Sequence, residues 1–300
     1  MMSEMSKAVS TENLNEYKGR SLAQETWRRL LKNKGAVVGM IFMVLLLILA
    51  LSGDFLYDYD TEIIGMNMSE ARLAPSAEHF FGTAQLGRDV FSRIVYGTRY
   101  SLIIGVGSVA VGLIVGLITG SLAGFYGGMW DQLVMRANDI LYSIPNIMLA
   151  VVIVQVLGTS VLSLVIALSI SSATSFAKIT RAAVMTIRGQ EYVESAYAMG
   201  LPTWKIILRH IIPNCLSPII VQVTLAIGSN IIAASSLSFL GVGVPIPTPE
   251  WGTMLSDGRQ FIRSEPWMCV FPGIAIMLTV LALNLMGDGL RDALDPKLKR

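Results

Sequence analysis

Residues 140–177 read ILYSIPNIMLAVVIVQVLGTSVLSLVIALSISSATSFA, 38 consecutive positions without Asp, Glu, Lys or Arg. A bilayer core about 30 Å thick is crossed by roughly 20 helical residues, so this run holds two crossings joined by a turn. Gly158-Thr159-Ser160 near its middle supplies the turn chemistry and divides the stretch into helices over 140–157 and 161–177. Pro145 is expected to kink the first of them.

Four further intervals lack formal charge: 35–53 with 19 residues, 100–130 with 31, 210–249 with 40 and 266–287 with 22. The 40-residue interval yields one crossing, over 219–240. Pro213 and Pro218 crowd its start, and Gly241, Gly243, Pro245, Pro247 and Pro249 occupy its end. The expectation is an all-α membrane protein with six transmembrane helices. Composition agrees, with 53% hydrophobic and 15% charged residues and a mean hydropathy of +0.59. These runs, a net charge of +2 and only two cysteines, Cys215 and Cys269, exclude a disordered, nucleic-acid-binding or disulfide-rich secreted chain.

Six crossings place both termini on one side, and the Lys and Arg excess marks the cytoplasm. With the N-terminus inside, 17 basic residues are cytoplasmic, including Lys7, Lys18, Arg20, Arg188, Lys297, Lys299 and Arg300, against 6 outside. The expected organisation is a cytoplasmic segment over 1–34, a membrane region over 35–290 and a cytoplasmic tail over 291–300. External loops fall at 54–99 and 241–267, and a cytoplasmic helix-turn-helix at 178–213. No cleavable signal is expected, because the first apolar run follows about 35 polar residues and lacks a small-residue cleavage site. Ser21–Asn33 interleaves Leu22, Trp27, Leu30 and Leu31 with Arg28, Arg29 and Lys32, which suits a helix on the inner membrane face or a basic flank that fixes topology.

The spans lack the ionisable groups that proton or ion coupling and intramembrane hydrolysis require. No catalytic constellation or metal site is expected: His79 and His210 are far apart, and H-E-x-x-H is absent. The sequence also has no G-x-x-x-x-G-K-[ST], so energy for active transport must come from another chain. No cofactor is expected.

The cytoplasmic segment 178–212 reads as two helices broken at Gly200-Leu201-Pro202, since Gly suits a helix C-cap and Pro a first turn. Within it, Glu194-Ser195-Ala196 precedes Gly200 by the spacing E-A-A, three residues, G, and Pro213 stands where I-x-L-P ends. Ser195 replaces an Ala of that pattern, and His210 and Ile212 replace Ile and Leu. GTAQLGRDVFSR over 82–93, TPEWGTML over 248–255 and NLMGDGLRDALDP over 284–296 are longer stretches of the same kind. From about Trp27 to its C-terminus, the chain resembles the dipeptide/oligopeptide permease family of ABC importers, specifically the second of its two membrane subunits.

The resemblance implies a type I ABC importer permease fold in the cell inner membrane. It also implies a homologous second permease subunit, two cytoplasmic ATPase subunits, and an external solute-binding protein that delivers the peptide. Related permeases carry nickel chelates, glutathione or other small solutes, so these remain alternatives, as does a scaffold without a pathway. A membrane-anchored enzyme would need a reactive constellation that the sequence lacks. A coupling element must be a rigid knob with a small-residue surface, which Ser195, Ala196, Ala198 and Gly200 would provide. Glu194 would pair across the interface or cap a local amide, and Tyr192 and Tyr197 would anchor the contact.

Gly112, Gly116, Gly120 and Gly124 form a small-xxx-small stripe suited to close helix packing. Candidate pathway residues are the uncharged polar ones, Gln155 and Asn230 above all, with Ser229, Ser235 and Ser236. Such groups would bind a peptide backbone weakly and release it, and hydrogen bonds between helices are the alternative role for each.

Overall fold

The computed structural model describes residues 22–294, so Lys7, Lys18, Arg20, Lys297, Lys299 and Arg300 lie outside the described part. A surface helix α1 (Leu22–Lys32) leads through Asn33 into α2 (Lys34–Leu56), and the Asn33 side chain caps α2 by accepting from the Ala36 amide at 3.2 Å. Leu30 of α1 is buried against Ala36 and Ala293, whereas Trp27 and Leu31 stay exposed. The buried positions of α2, Ala36, Gly39, Leu46 and Gly53, make one narrow stripe flanked by the half-buried Met40, Phe42, Met43, Leu49 and Ala50, while Val38, Ile41, Val44, Leu45, Ile48 and Leu51 face outward as lipid contacts require.

The chain continues with α3 (Val90–Tyr126), α4 (Gly128–Ser143), α5 (Asn146–Leu157), α6 (Val161–Ile187) and α7 (Glu191–Ala198). Then come α8 (Thr203–Phe239), α9 (Trp251–Gly258) and α10 (Trp267–Leu294). Five of these helices, α2, α3, α6, α8 and α10, are each long and apolar enough to cross a bilayer.

The pair α4 and α5 is bent by 90° at its break, and counted as one span it brings the crossings to six. The expected single helix over 140–157 is therefore corrected: Pro145 separates two helices rather than kinking one. Its ring excludes the helical conformation from Ile144, which is extended at φ −87° and ψ 128°. The pair nonetheless runs the length of α6. On α4, Asp131 accepts from Arg181 at 2.5 and 2.6 Å, Asp139 pairs with Lys178 at 3.1 Å and Asn138 donates to the Thr174 carbonyl. On α5, Ala150 and Val154 pack with Leu164 and Leu168 near the other end of α6. Between α5 and α6 the turn at Gly158 has φ +85°, and Ser160 caps α6 through the Ser163 amide.

A second correction concerns α8, expected over 219–240. It begins at Thr203 and runs through both Pro213 and Pro218. A wide π-type turn at Ile207–Ile211 precedes Pro213 and holds Arg209, whose carbonyl the proline ring would otherwise meet; Pro218 lies further on, inside the regular helix. Helix α3 likewise starts ten residues before its uncharged interval, capped by Asp89 through the Ser92 amide at 2.7 Å.

Backbone proximity between α3 and α6 dominates the packing. A Cβ at Gly112 would lie 2.5 Å from the Ser172 Cβ, one at Gly116 2.4 Å from the Phe176 Cβ, one at Gly120 2.5 Å from the Ala177 carbonyl oxygen and one at Gly124 2.8 Å from the Arg181 carbonyl oxygen. Beside this seam, the Asn230 amide of α8 donates to Ser108 of α3 at 2.8 Å and to Ser172 of α6 at 2.9 Å, tying three helices together.

At the Val90 end of α3 the segment 241–267 folds into the bundle instead of forming an open loop. Glu250, 1% exposed, caps α9 by accepting from the Gly252 and Thr253 amides at 2.9 Å each. The Trp251 indole donates to the Ile94 carbonyl, and the Pro249 carbonyl oxygen sits 1.8 Å from where a Cβ on Gly97 would be.

Two glycines of α3 should separate cleanly. Gly116→Ala forces a methyl onto the α6 backbone and should lower the thermal unfolding midpoint of the detergent-purified chain by the equivalent of about 1–3 kcal/mol. Gly107→Ala meets only Val165 methyls at 3.5 and 3.6 Å, so its midpoint should be unchanged or higher, because Ala favours helix over Gly by about 1 kcal/mol. Equal midpoints for the two variants would contradict the close approach.

Candidate coupling site

Helix α7 and its exit form a short turn at one end of the bundle. Gln190 opens it, its carbonyl accepting from the Val193 and Glu194 amides at 2.9 and 3.2 Å. Val193 and Ala196, three residues apart, face inward and are buried with Phe125, Val184, Ile206, Ile207 and Ile211. The exit closes with two reciprocal bonds: the Gly200 amide donates to the Tyr197 carbonyl at 2.9 Å and the Leu201 amide to the Ala196 carbonyl at 3.3 Å. This is a Schellman closure, which requires a left-handed residue at the position of Gly200, where φ is +75°. Leu201 then packs back on the apolar cluster, and Pro202 leads into α8.

Two contacts fix this turn to the membrane helices. Arg188 donates to the carbonyls of Gly124 and Phe125 at 3.0 and 3.2 Å, closing the C-terminal end of α3. The Tyr197 ring stacks on Phe125 with centroids 5.9 Å apart and planes 13° from parallel.

Of the sequence candidates here, Glu194, Ser195 and Gly200 are exposed on the turn, and the Ser195 hydroxyl donates to the Glu191 carbonyl at 2.8 Å. Tyr192 and Tyr197 are partly exposed. Partial burial, with the Cys215 thiol adding to it, raises the Tyr192 hydroxyl above its ordinary range. Ala196 differs from expectation: it is buried against the protein's own core and takes no part in the outward surface. Pro213 is exposed on α8, beyond the wide turn and apart from the knob. The sequence reading missed Met199 and Trp204, which extend the exposed apolar surface at 72% and 59% exposure. It also missed the anchoring role of Arg188. The available signal was an arginine just after the end of a long apolar helix.

The pathway candidates divide. Asn230 does not face an open surface, because its amide is consumed by Ser108 and Ser172 in the buried three-helix contact. Ser235 and Ser236 line a groove of about 450 Å³ with Ile232, Phe239, Gly273 and Ile276, between α8 and α10. Ser229, seven residues before Ser236 and so on the same helix face, is exposed and donates to the Leu225 carbonyl at 3.1 Å. Gln155 is exposed on α5, outside that groove's lining.

Comparison with known proteins assigns the class. A family described as "Binding-protein-dependent transport system inner membrane component" matches residues 112–300, and one described as "N-terminal TM domain of oligopeptide transport permease C" matches residues 21–75. The chain is 44% identical over 305 residues to the dipeptide transport system permease protein DppC of Alkalihalophilus pseudofirmus, covering 100% of both. It is 45% identical over 275 residues to the glutathione transport system permease protein GsiD of Escherichia coli, covering 92% of this chain and 90% of that one. A chain of the inward-facing MetNI methionine ABC transporter shares the fold, with a TM-score of 0.57 and 18% identity over 68% of this chain and 96% of that one. The chain thus belongs to the inner membrane components of binding-protein-dependent transport systems: it is a multi-pass permease subunit of an ABC importer. Importers of this class work with ATPase and solute-binding partners.

Gly200 offers a local check. A Cβ there meets nothing within 4 Å, so the cost of Gly200→Ala is backbone strain alone, about 1–2 kcal/mol. Amide hydrogen exchange over residues 193–206 should quicken in this variant and not in Gly189→Ala, where space is equally open and φ is not left-handed. Identical exchange in both variants would refute the Schellman closure.

Proposed function

We propose that this chain is the second membrane subunit of an importer for di- and oligopeptides, paired with a homologous first membrane subunit. Two cytoplasmic ATPase subunits would bind its α7 turn, and an extracytoplasmic peptide-binding protein would deliver the cargo. The observation that carries this reading is the turn itself. A short helix stands exposed at Glu194, Ser195 and Met199, locked at Gly200 by backbone bonds and fixed to the ends of α3 and α6 by Arg188 and Tyr197. A rigid projection of that kind transmits displacement, whereas a mobile loop would absorb it. ATP hydrolysis belongs to the partners, since the chain has no phosphate-binding loop motif.

The excess of Lys and Arg supports a cytoplasmic location for this turn and for both termini. Full-length similarity to a dipeptide permease supports peptide cargo. The glutathione permeases favour a second reading, import of glutathione, itself a tripeptide. Ser229 and Ser236, with the groove beside Ser235, supply hydroxyls along one face of α8 as a wall for such cargo.

In the reconstituted assembly, uptake of labelled dipeptides should exceed that of glutathione or a nickel chelate. Gly200→Val and Glu194→Lys should each reduce it to background while the chain reaches the membrane at normal abundance; like-charge contact at an interface costs several kcal/mol. Wild-type uptake by both variants would remove α7 from the coupling role. Reporters fused after Arg188 should lie in the cytoplasm and those after Asp257 outside. The same side for both would reject the six-span topology.

A further inference from the structure

Near the Val90 end of α3, Arg88, Arg93 and Asp257 line a cavity of about 140 Å³ whose walls include Val90, Met254 and Met268. Both arginines are enclosed, at 4% and 2% exposure. Arg88 donates through Nε to the Ile64 carbonyl at 3.1 Å, and Arg93 through Nη2 to the Pro247 carbonyl at 3.1 Å, so backbone acceptors hold each guanidinium in place. The remaining donors are unused. Arg93 Nε is buried without a partner, and among the described residues no protein acceptor takes the Nη atoms of Arg88 or Nη1 of Arg93. The ion pairs of the described residues lie elsewhere, so neither arginine is paired with a carboxylate.

Two guanidiniums and one half-buried carboxylate leave this cavity cationic, and burial raises the Asp257 carboxyl above its ordinary range against the pull of Arg93 and Arg88. Unpaired buried cations are costly, and backbone carbonyls offset that cost only in part. Guanidinium forks match the two oxygens of a carboxylate, and a cavity of this size accepts a group of a few heavy atoms.

We propose that this cavity binds a small carboxylate, held by the free donors of Arg88 and Arg93, with the Asp257 wall limiting its affinity. The carboxylate comes from a free small acid or from the C-terminus of a peptide. The site stands independently of what the importer carries.

The test is thermal unfolding of the purified full chain in detergent at constant ionic strength, titrated with sodium acetate against a bulky sulfonate. The unfolding midpoint should rise saturably with acetate. Arg88→Gln should abolish the rise, and Asp257→Asn, which removes the opposing charge and keeps both arginines, should lower the half-saturating concentration about tenfold. Dialanine and dialanine amide distinguish the sources: stabilisation by the free acid alone, below the acetate concentrations needed, assigns the site to a peptide terminus, and stabilisation by acetate alone assigns it to a free acid. A wild-type midpoint indifferent to all three overturns the proposal, as does an Asp257→Asn half-saturation equal to the wild type's.

Discussion

The approach of the α3 and α6 backbones is the constraint on which the bundle depends. Lipid tails are as apolar as leucine, so helices gain nothing by hiding apolar side chains from them; association has to come from atomic contact and hydrogen bonds. Four glycines on one stripe let α3 meet α6 at distances that exclude even a methyl group. With that seam fixed, Ser108 and Ser172 stand close enough for one Asn230 amide to bridge them, which places α8 against both. Helix α10 repeats the device against α2, where a Cβ on Gly39 would lie 2.5 Å from the Ala282 carbonyl oxygen.

Both ends of this seam support further elements. At one end, Arg188 closes α3 and Phe125 supports Tyr197, so the α7 turn rests on the tips of the two closest helices. At the other, the Pro249 carbonyl nests on Gly97 while Glu250 and Trp251 bond to Ser101 and Ile94. The segment 241–267 is therefore a buttress of α3, in which the buried Glu250 and Thr253 find their hydrogen-bond partners within the chain.

Much of this was legible in the sequence because the bilayer imposes a length on uncharged runs. That rule measures hydrocarbon thickness rather than helix length, so it located the crossings and missed their ends. Arg93 and Arg99 belong to α3, yet they lie before its uncharged run. Pro145 and Pro213 look alike in sequence; one follows an extended Ile144 and divides two helices, and the other follows a wide turn and is carried inside a helix. The break at Gly200 was readable from Gly and Pro chemistry. The burial of Ala196 was not, because on a helix of only eight residues the inward face is chosen by what lies beneath it. Asn230 was ambiguous for a related reason: an amide lining a route and an amide bridging two hydroxyls have the same sequence, and only the positions of Ser108 and Ser172 decide.

Helix α3 has 37 residues, a rod about 56 Å long at 1.5 Å per residue, well beyond what one crossing needs. Its surplus lies before Tyr100, where Arg93 and Trp251 clamp it to the segment around Pro247 and α9. A rod held at both tips behaves as a lever: a tilt of about 5° around its midpoint carries each tip roughly 2.5 Å in opposite directions. Because the stripe from Gly112 to Gly124 is locked to α6, such a tilt would carry both helices together, and a displacement of the Gly124 tip would be matched at the Pro249 buttress in the reversed sense.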